Sequence, residues 1–479
     1  MSSSGTRTEH VGWLPYIVAA TFFMEYLDTT VIATALPQMA RSFGVGPNSL
    51  SLGMTAYMLA LAIFIPASGW VADRGGARTV FVSAIGVFTV ASVLCGLSQN
   101  VPEFTAARLL QGIGGAMMVP VGRLIVVRST EKARMMQAIS TITWPAIAAP
   151  VVGPPIGGFI TTYASWRWIF LLNVPFGLAA IAVALAIVPN LRDTERKPLD
   201  VVGLLLSGVA LTAILYGAEL ASQPATNAWL AIAVVAGGLL VGAIAFLHAK
   251  RHPHPLVDVS TLKVPTFSVT VVTGSFTRIG IGAVPYLMPL LFQVGFGLSA
   301  FRSGLLLLAS AVGNLGMKAL TTRILQRYGF RTVAIVDVVV AGIFITLCGL
   351  LTPDVPLVFV LIVVFVYGVT RSMQFSTLAT LAYADIQQTQ MSAASTLWSA
   401  AMQMTIGLGI AFGAVSLRVA ALFNGETTGH VFTLDDFRLA FLFAGVLTLL
   451  SVIGYMGLAR NAGQSIGGGS RGGETAAKG

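Results

Sequence analysis

Charge is scarce in this sequence. Of its 479 residues only 10 % are Asp, Glu, Lys or Arg, where a soluble protein carries about 25 %. A water-facing surface for so long a chain cannot be built from that supply, and disorder, a coiled coil or a nucleic-acid-binding domain is excluded with it. Cysteine is almost absent. Cys95 and Cys348 both sit in apolar runs, so there is no disulfide framework and no CxxC pair for metal or redox chemistry. Histidine numbers five, and the cluster His248, His252 and His254 has no carboxylate or cysteine beside it in the sequence, so it reads as a juxtamembrane basic loop and no metal site is expected. No extramembrane segment is long enough for a catalytic domain, and no Ser/His, metal or nucleotide motif appears, so neither an enzyme nor a bound cofactor is expected. Met1 to Trp13 lacks the charged, apolar and small-residue pattern of a cleaved signal, which leaves the first apolar run as the insertion signal.

Apolar sequence is abundant instead: 56 % of residues are hydrophobic and the mean hydropathy is +0.84. A spanning helix needs about 20 mainly apolar residues, because in lipid each backbone polar group must be satisfied within its own segment. Fourteen such windows are present, the first near 12–36 and the last near 437–458. The sequence thus predicts an all-α polytopic membrane protein whose partners are the lipid bilayer and small molecules, not nucleic acid; it says nothing of protein partners. An even number of spans puts both termini on one side. Eighteen Lys and Arg fall on that side, among them Arg74, Arg78, Arg128, Lys250 and Arg331, and five, Arg41, Arg167, Arg302, Arg418 and Arg438, on the other. The bias predicts cytoplasmic termini.

The chain also repeats itself. Arg74 to Leu97 (RGGARTVFVSAIGVFTVASVLCGL) matches Arg327 to Leu350 (RYGFRTVAIVDVVVAGIFITLCGL) at 10 of 24 positions without a gap, at an offset of 253, and both cysteines fall in register. Helices 3 and 11 are therefore equivalent. The organisation expected is a cytoplasmic N-terminus (1–11), a six-helix half (12–188), a linker with two extra helices (189–266), a second six-helix half (267–458) and a Gly-rich disordered tail (459–479). Two pseudo-symmetric halves with a site between them near the bilayer midplane are the architecture of secondary transporters.

Four motifs point the same way. Gly69-Trp-Val-Ala-Asp73-Arg74-Gly-Gly76-Ala-Arg78 lies in the loop between helices 2 and 3, where Gly69 would allow close helix approach and the arginines would hold the inner side closed. Helix 4 carries Arg108-Leu-Leu-Gln111-Gly112-Ile-Gly114. Helix 5 carries Ala149-Pro150-Val-Val-Gly153-Pro154-Pro155-Ile-Gly157-Gly158, whose Gly-Pro steps suit packing and bending alike. Helix 1 carries Leu27-Asp28-Thr29-Thr30-Val31 and Ala35-Leu36-Pro37, with Ala33 between them. Together these resemble the loop signature, the buried-arginine motif, the antiporter motif and the first-helix signature of the major facilitator superfamily, specifically its fourteen-helix drug:proton antiporters of the EmrB/QacA type. In that signature Asn is customary where Ala33 stands, and Gly is usual where Ala149 stands. The resemblance, which covers nearly the whole chain, implies the major facilitator fold, the bacterial cytoplasmic (inner) membrane and multidrug-type efflux driven by the proton gradient.

Charges inside the spans are the candidate working parts, since each costs about 2.5–3.5 kcal/mol at a helix centre. They are Glu25, Asp28, Arg108, Arg123, Arg278, Lys318, Asp337 and Arg371. Lys318 and Asp337 are near helix ends and are expected to snorkel to water. Glu25 and Asp28 are three residues apart, on one face of helix 1. Two carboxylates so close in a low-dielectric site compete for charge, which suits proton coupling: Asp28 is expected to carry the proton with Glu25 assisting, and Arg108 to tune or relay it. The repeat offset maps Glu25 onto Arg278, so a pair across the cavity is expected. Arg123, Arg278 and Arg371 are the expected substrate-binding residues. Five intramembrane bases against three acids leave a second expectation open beside drug efflux: export of an organic anion, such as a di- or tricarboxylate or its metal chelate.

Overall fold

The computed structural model describes residues 13–130, 134–190, 198–222, 228–253, 255–387, 390–425, 432–459 and 462; the segment 1–11, nearly all of the tail, and Thr194, Thr226 and His254 lie outside them. Among the described residues there is no strand. Within these residues fourteen helices are long and apolar enough to span a membrane: α1 (Leu14–Phe43), α2 (Pro47–Gly75), α3 (Ala77–Leu97), α4 (Val101–Ser129), α5 (Gln137–Tyr163), α6 (Arg167–Ile187), α7 (Val201–Ser222), α8 (Trp229–Arg251), α9 (Pro265–Gly295), α10 (Ala300–Tyr328), α11 (Phe330–Gly349), α12 (Leu357–Ala384), α13 (Ala393–Phe423) and α14 (Leu434–Met456). The protein is an integral membrane protein.

Helix α1 runs past the end expected at Pro37 and stops at Gly44, whose φ of 68° supplies a left-handed cap. Proline inside a helix costs about 3 kcal/mol through its lost hydrogen bond and ring clash. Pro37 is buried among neighbours that hold the helix on both sides of it, so packing wins. The repeat survives in the backbone. Gly76, between α2 and α3, has φ 90°, and Gly329, exactly one repeat later between α10 and α11, has φ 78°. Both turns need a residue without Cβ.

Three apolar cores show how the halves meet. One unites both halves at the end of the bundle away from the chain termini, joining Leu36, Met39 and Phe104 to Tyr286, Leu291, Leu351 and Phe437. At the other end the cores are separate. Val18, Phe81, Phe88 and Val126 pack within the first half, and Phe267, Phe330, Val338 and Tyr455 within the second. The bundle is thus closed at its far end and split at the end that carries the termini.

Polar ties reinforce the closed end. Gln293 of α9 donates to the Thr34 carbonyl of α1 at 3.0 Å, and the Phe301 amide of α10 donates to Thr162 at 3.0 Å. Tyr286 donates to Asn48 Oδ1 at 2.6 Å, while Asn48 donates to the Ala414 carbonyl of α13 at 3.0 Å. Helix α7, one of the extra pair, joins this end: Ser51 donates to Glu219 at 2.6 Å. Glu219 is a buried intramembrane acid that the sequence reading passed over, because it sits in the last turn of its span. Helix α7 thus takes part in the closure, α8 packs against α7, and the central polar residues are left to the two halves.

Candidate functional site

The polar centre of the first half is built by close helix contact. A Cβ on Gly112 would collide with the Tyr57 carbonyl of α2, and one on Gly114 with the Phe88 backbone of α3, so α4 lies directly against both. That approach delivers Arg108 to Asp28. Its Nη1 donates to Asp28 Oδ2 at 2.5 Å and to Gln111 Oε1 at 2.6 Å. Gln111 and Asn173 each donate to Asp28 Oδ1 at 2.9 Å, and each also donates to Ser92, at 2.8 and 3.2 Å. The Arg108 guanidinium lies 4.1 Å from the centroid of the Tyr57 ring. Five helices, α1, α2, α3, α4 and α6, meet on one ion pair, and both of its members are 1 % exposed. Charge-assisted bonds of this kind are strong, and the net charge inside is zero.

Glu25, one turn before Asp28, is arranged differently. It is buried, but its Oε2 has no hydrogen-bond partner. Gly115 makes room for it: a Cβ there would stand 3.0 Å from the Tyr57 hydroxyl and 3.3 Å from Glu25 Oε1. The structure therefore brings Glu25, Asp28 and Arg108 together as the sequence expects, and it adds Ser92, Gln111, Asn173 and Tyr57. Gln111 stood in the buried-arginine motif. No sequence signal marked Ser92 or Asn173.

The three expected substrate-binding arginines part company. Arg278 is buried and does not meet Glu25. Its Nε donates to Thr405 at 3.0 Å, and its other nitrogens donate to the Thr270 and Val271 carbonyls and to Ser275 at 3.3–3.4 Å. Its guanidinium also lies 4.8 Å from the Trp398 ring. Neutral acceptors satisfy it, and the repeat offset overstated the symmetry of the two halves. Arg123 is exposed toward the end of α4 that ends at Ser129, within electrostatic reach of Tyr26 in the first half and of Tyr383, in the last turn of α12, in the second. Arg371 is half-buried on α12, 6.0 Å from the Phe375 ring. Neither has a carboxylate partner among the described residues. Of the two residues expected to snorkel, Lys318 is exposed but Asp337 is buried with Oδ2 unpartnered, because α14 covers that face of α11.

The loop and antiporter motifs divide in the same way. Asp73 pairs with Arg128 of its own half at 3.3 Å, both partly exposed. Arg74 is exposed, 5.4 Å from the Trp70 ring, and Arg78 is half-buried. Gly76 makes the turn, but nothing stands within 4 Å of a Cβ built on Gly69, so no close approach needs that glycine here. In α5 the glycines are contact points. A Cβ on Gly153 would strike Thr30, one on Gly157 the Val31 carbonyl of α1, and one on Gly158 the Ala300 carbonyl of α10; Gly304 in turn faces the Pro154 carbonyl. The motif Gly153, Pro154, Gly157 and Gly158 is therefore wedged between α1 and α10, across the junction of the halves.

Known proteins place this architecture. The profile described as Major Facilitator Superfamily matches residues 18–413. The chain is 37 % identical over 417 residues to MdtD, named for multidrug resistance, of Serratia proteamaculans (strain 568), covering 85 % of this chain and 86 % of that one. It is 35 % identical over 433 residues to the MdtD of Salmonella heidelberg (strain SL476), covering 88 % and 91 %. Among solved structures it resembles a D-xylose-proton symporter, with a TM-score of 0.66 at 14 % identity over 95 % of this chain and 99 % of that one. An auto-inhibited POT family peptide transporter gives a TM-score of 0.67 at 12 % identity over 94 % and 96 %. At these identities the two structures share the fold alone. The profile over most of the chain, with the MdtD relatives, shows that this chain belongs to the major facilitator superfamily and is a secondary transporter.

Proposed function

We propose that the protein is a proton-coupled exporter of the multidrug type, a carrier and not an enzyme, that works by alternating access in a bacterial cytoplasmic membrane. The carrying observation is the unequal carboxylate pair of α1. Asp28 is held by Arg108, Gln111 and Asn173, whereas Glu25 keeps an oxygen without a partner one turn away. In this reading Glu25 takes the proton, in place of the Asp28 that the sequence suggests, and Asp28 holds the charge to which the proton is coupled. Protonating Asp28 in turn would release Arg108 and loosen the packing of α4 on α1. The MdtD relatives support efflux of drugs as the function. With both termini cytoplasmic, as the charge bias of the loops supports, the split end faces inward and the closed end outward, a state ready to load from the cell.

A second reading of the cargo has its own observation. Arg371, in mid-span of α12, and Arg123, nearer the end of α4, have no carboxylate partner among the described residues, and a planar guanidinium favours bidentate bonds to a carboxylate. The anion reading is that a di- or tricarboxylate, or its metal chelate, is met by one or both of them. Thermal unfolding of the purified protein separates the two. Stabilisation by citrate that is lost in Arg123→Ala and Arg371→Ala supports the anion. Stabilisation by lipophilic cations that survives both substitutions and is lost in Glu25→Gln supports cationic drugs. Failure of substrate counterflow in proteoliposomes would overturn the carrier itself.

A further inference from the structure

The extra helices carry a cluster that the transport cycle does not use. Asp200, at the start of α7, faces His248 and His252 at the end of α8, forty-eight and fifty-two residues further on. His248 and His252 are four residues apart, so they share one face of the helix end, and their rings lie 5.1 Å apart. His248 Nε2 is 2.9 Å from Asp200 Oδ1. One ligand atom from each of the three residues lies within 4.8 Å of the other two. We propose that Asp200, His248 and His252 bind a divalent transition metal of the zinc type and so clip together the ends of α7 and α8.

The chemistry fits on three counts. First, two imidazoles and a carboxylate, with water in the fourth place, form a tetrahedral set that selects zinc-like ions over magnesium or calcium, which prefer oxygen alone. Second, ligand atoms bonded at 2.0–2.2 Å round a tetrahedral ion lie about 3.3 Å apart. The Asp200–His248 pair, now at 2.9 Å, therefore opens by about 0.4 Å and the wider gaps close by no more than about 1.5 Å, which small side-chain rotations supply. Third, the carboxylate is already fixed by an outer shell. The Gly203 amide donates to Oδ1 at 2.7 Å and the Leu256 amide to Oδ2 at 3.2 Å, and such partners orient a ligand and sharpen its affinity. Burial alone would push the Asp200 carboxyl up, but the bonds from Gly203, His248 and Leu256 outweigh it and hold the group below its ordinary value, hence ionised at neutral pH. The nearby cations oppose a metal only weakly: Lys250 rests its ammonium over the Phe246 ring at 4.5 Å, and Arg251 is exposed. On binding, the ion replaces the direct Asp200 to His248 bond, and any proton shared there leaves to solvent. Because Leu256 opens the segment leading to α9, the clip also holds the connection between the two halves.

The test uses the full chain in detergent with any histidine tag removed, titrated with zinc chloride and, for spectroscopy, cobalt chloride. Expected are one zinc per chain by equilibrium dialysis and the intense visible bands of tetrahedral cobalt. His252→Gln leaves the Asp200 to His248 bond intact, so the protein keeps its fold, and it should weaken zinc binding ~10-fold or more. His248→Gln should do the same from the other ligand. Absence of stoichiometric zinc binding by the wild-type chain would overturn the proposal, as would binding equal to wild type in both variants.

Discussion

Neutralising Asp28 tests whether the buried pair acts as a unit. In Asp28→Asn the amide oxygen can still accept from Gln111 and Asn173, but the amide nitrogen replaces Oδ2 and points donor to donor at Arg108 Nη1, now 2.5 Å away. Arg108 is 1 % exposed, so water cannot take the place of the lost charge. Its remaining partners are Gln111 Oε1 and the Tyr57 ring. Breaking a buried pair from one side costs about 3–5 kcal/mol, mostly as the penalty of the charge left behind. Adding Arg108→Gln removes that charge. The double variant should then be less damaged than the sum of the two single ones, by an interaction of about 1–3 kcal/mol. The chain supplies its own reporters: Cys95 and Cys348 are fully buried and react with a maleimide dye only on unfolding, so reversible unfolding in mixed micelles reads all four members of the cycle. If the two losses simply add, Asp28 and Arg108 are not coupled and the account of the centre is wrong.

Other outcomes follow from the same geometry. Glu25→Gln, which disturbs a carboxylate with an unpartnered oxygen, should leave stability within about 1 kcal/mol of wild type but abolish accumulation driven by a pH gradient, while counterflow persists; accumulation that survives puts the proton site elsewhere. Gly158→Val places a side chain against the Ala300 carbonyl, so it should hold the far end open and raise thiol labelling of a cysteine at Gln293; unchanged labelling would show that α5 and α10 do not form the outer seal. A cysteine at Thr226 should react with an impermeant thiol reagent in whole cells and one at Thr194 should not, and the reverse pattern would invert the topology.

What the sequence determined by itself is what local physics decides. A backbone in lipid must bond within its own helix, so each span announces itself as an apolar run, and all fourteen are read in order. The repeat was legible because turn chemistry is local: Gly76 and Gly329 recur where the chain needs a positive φ. The pairing of Glu25 and Asp28 on one face follows from helical spacing alone. Motif resemblance marked Arg108 and Gln111 on helix 4. Partners from distant helices are another matter, because a contact between residues 28 and 173, or between 200 and 248, leaves no trace in either segment. Tertiary packing alone decided that Asn173 and Ser92 complete the Asp28 site, that Arg278 is buried against neutral oxygens while Arg123 stays exposed and Arg371 half-buried, and that Asp200 stands beside two histidines. It also decided which end of the bundle is closed. That depends on which apolar faces of the two halves touch, and every helix has apolar faces to offer, so only the assembled bundle selects among them.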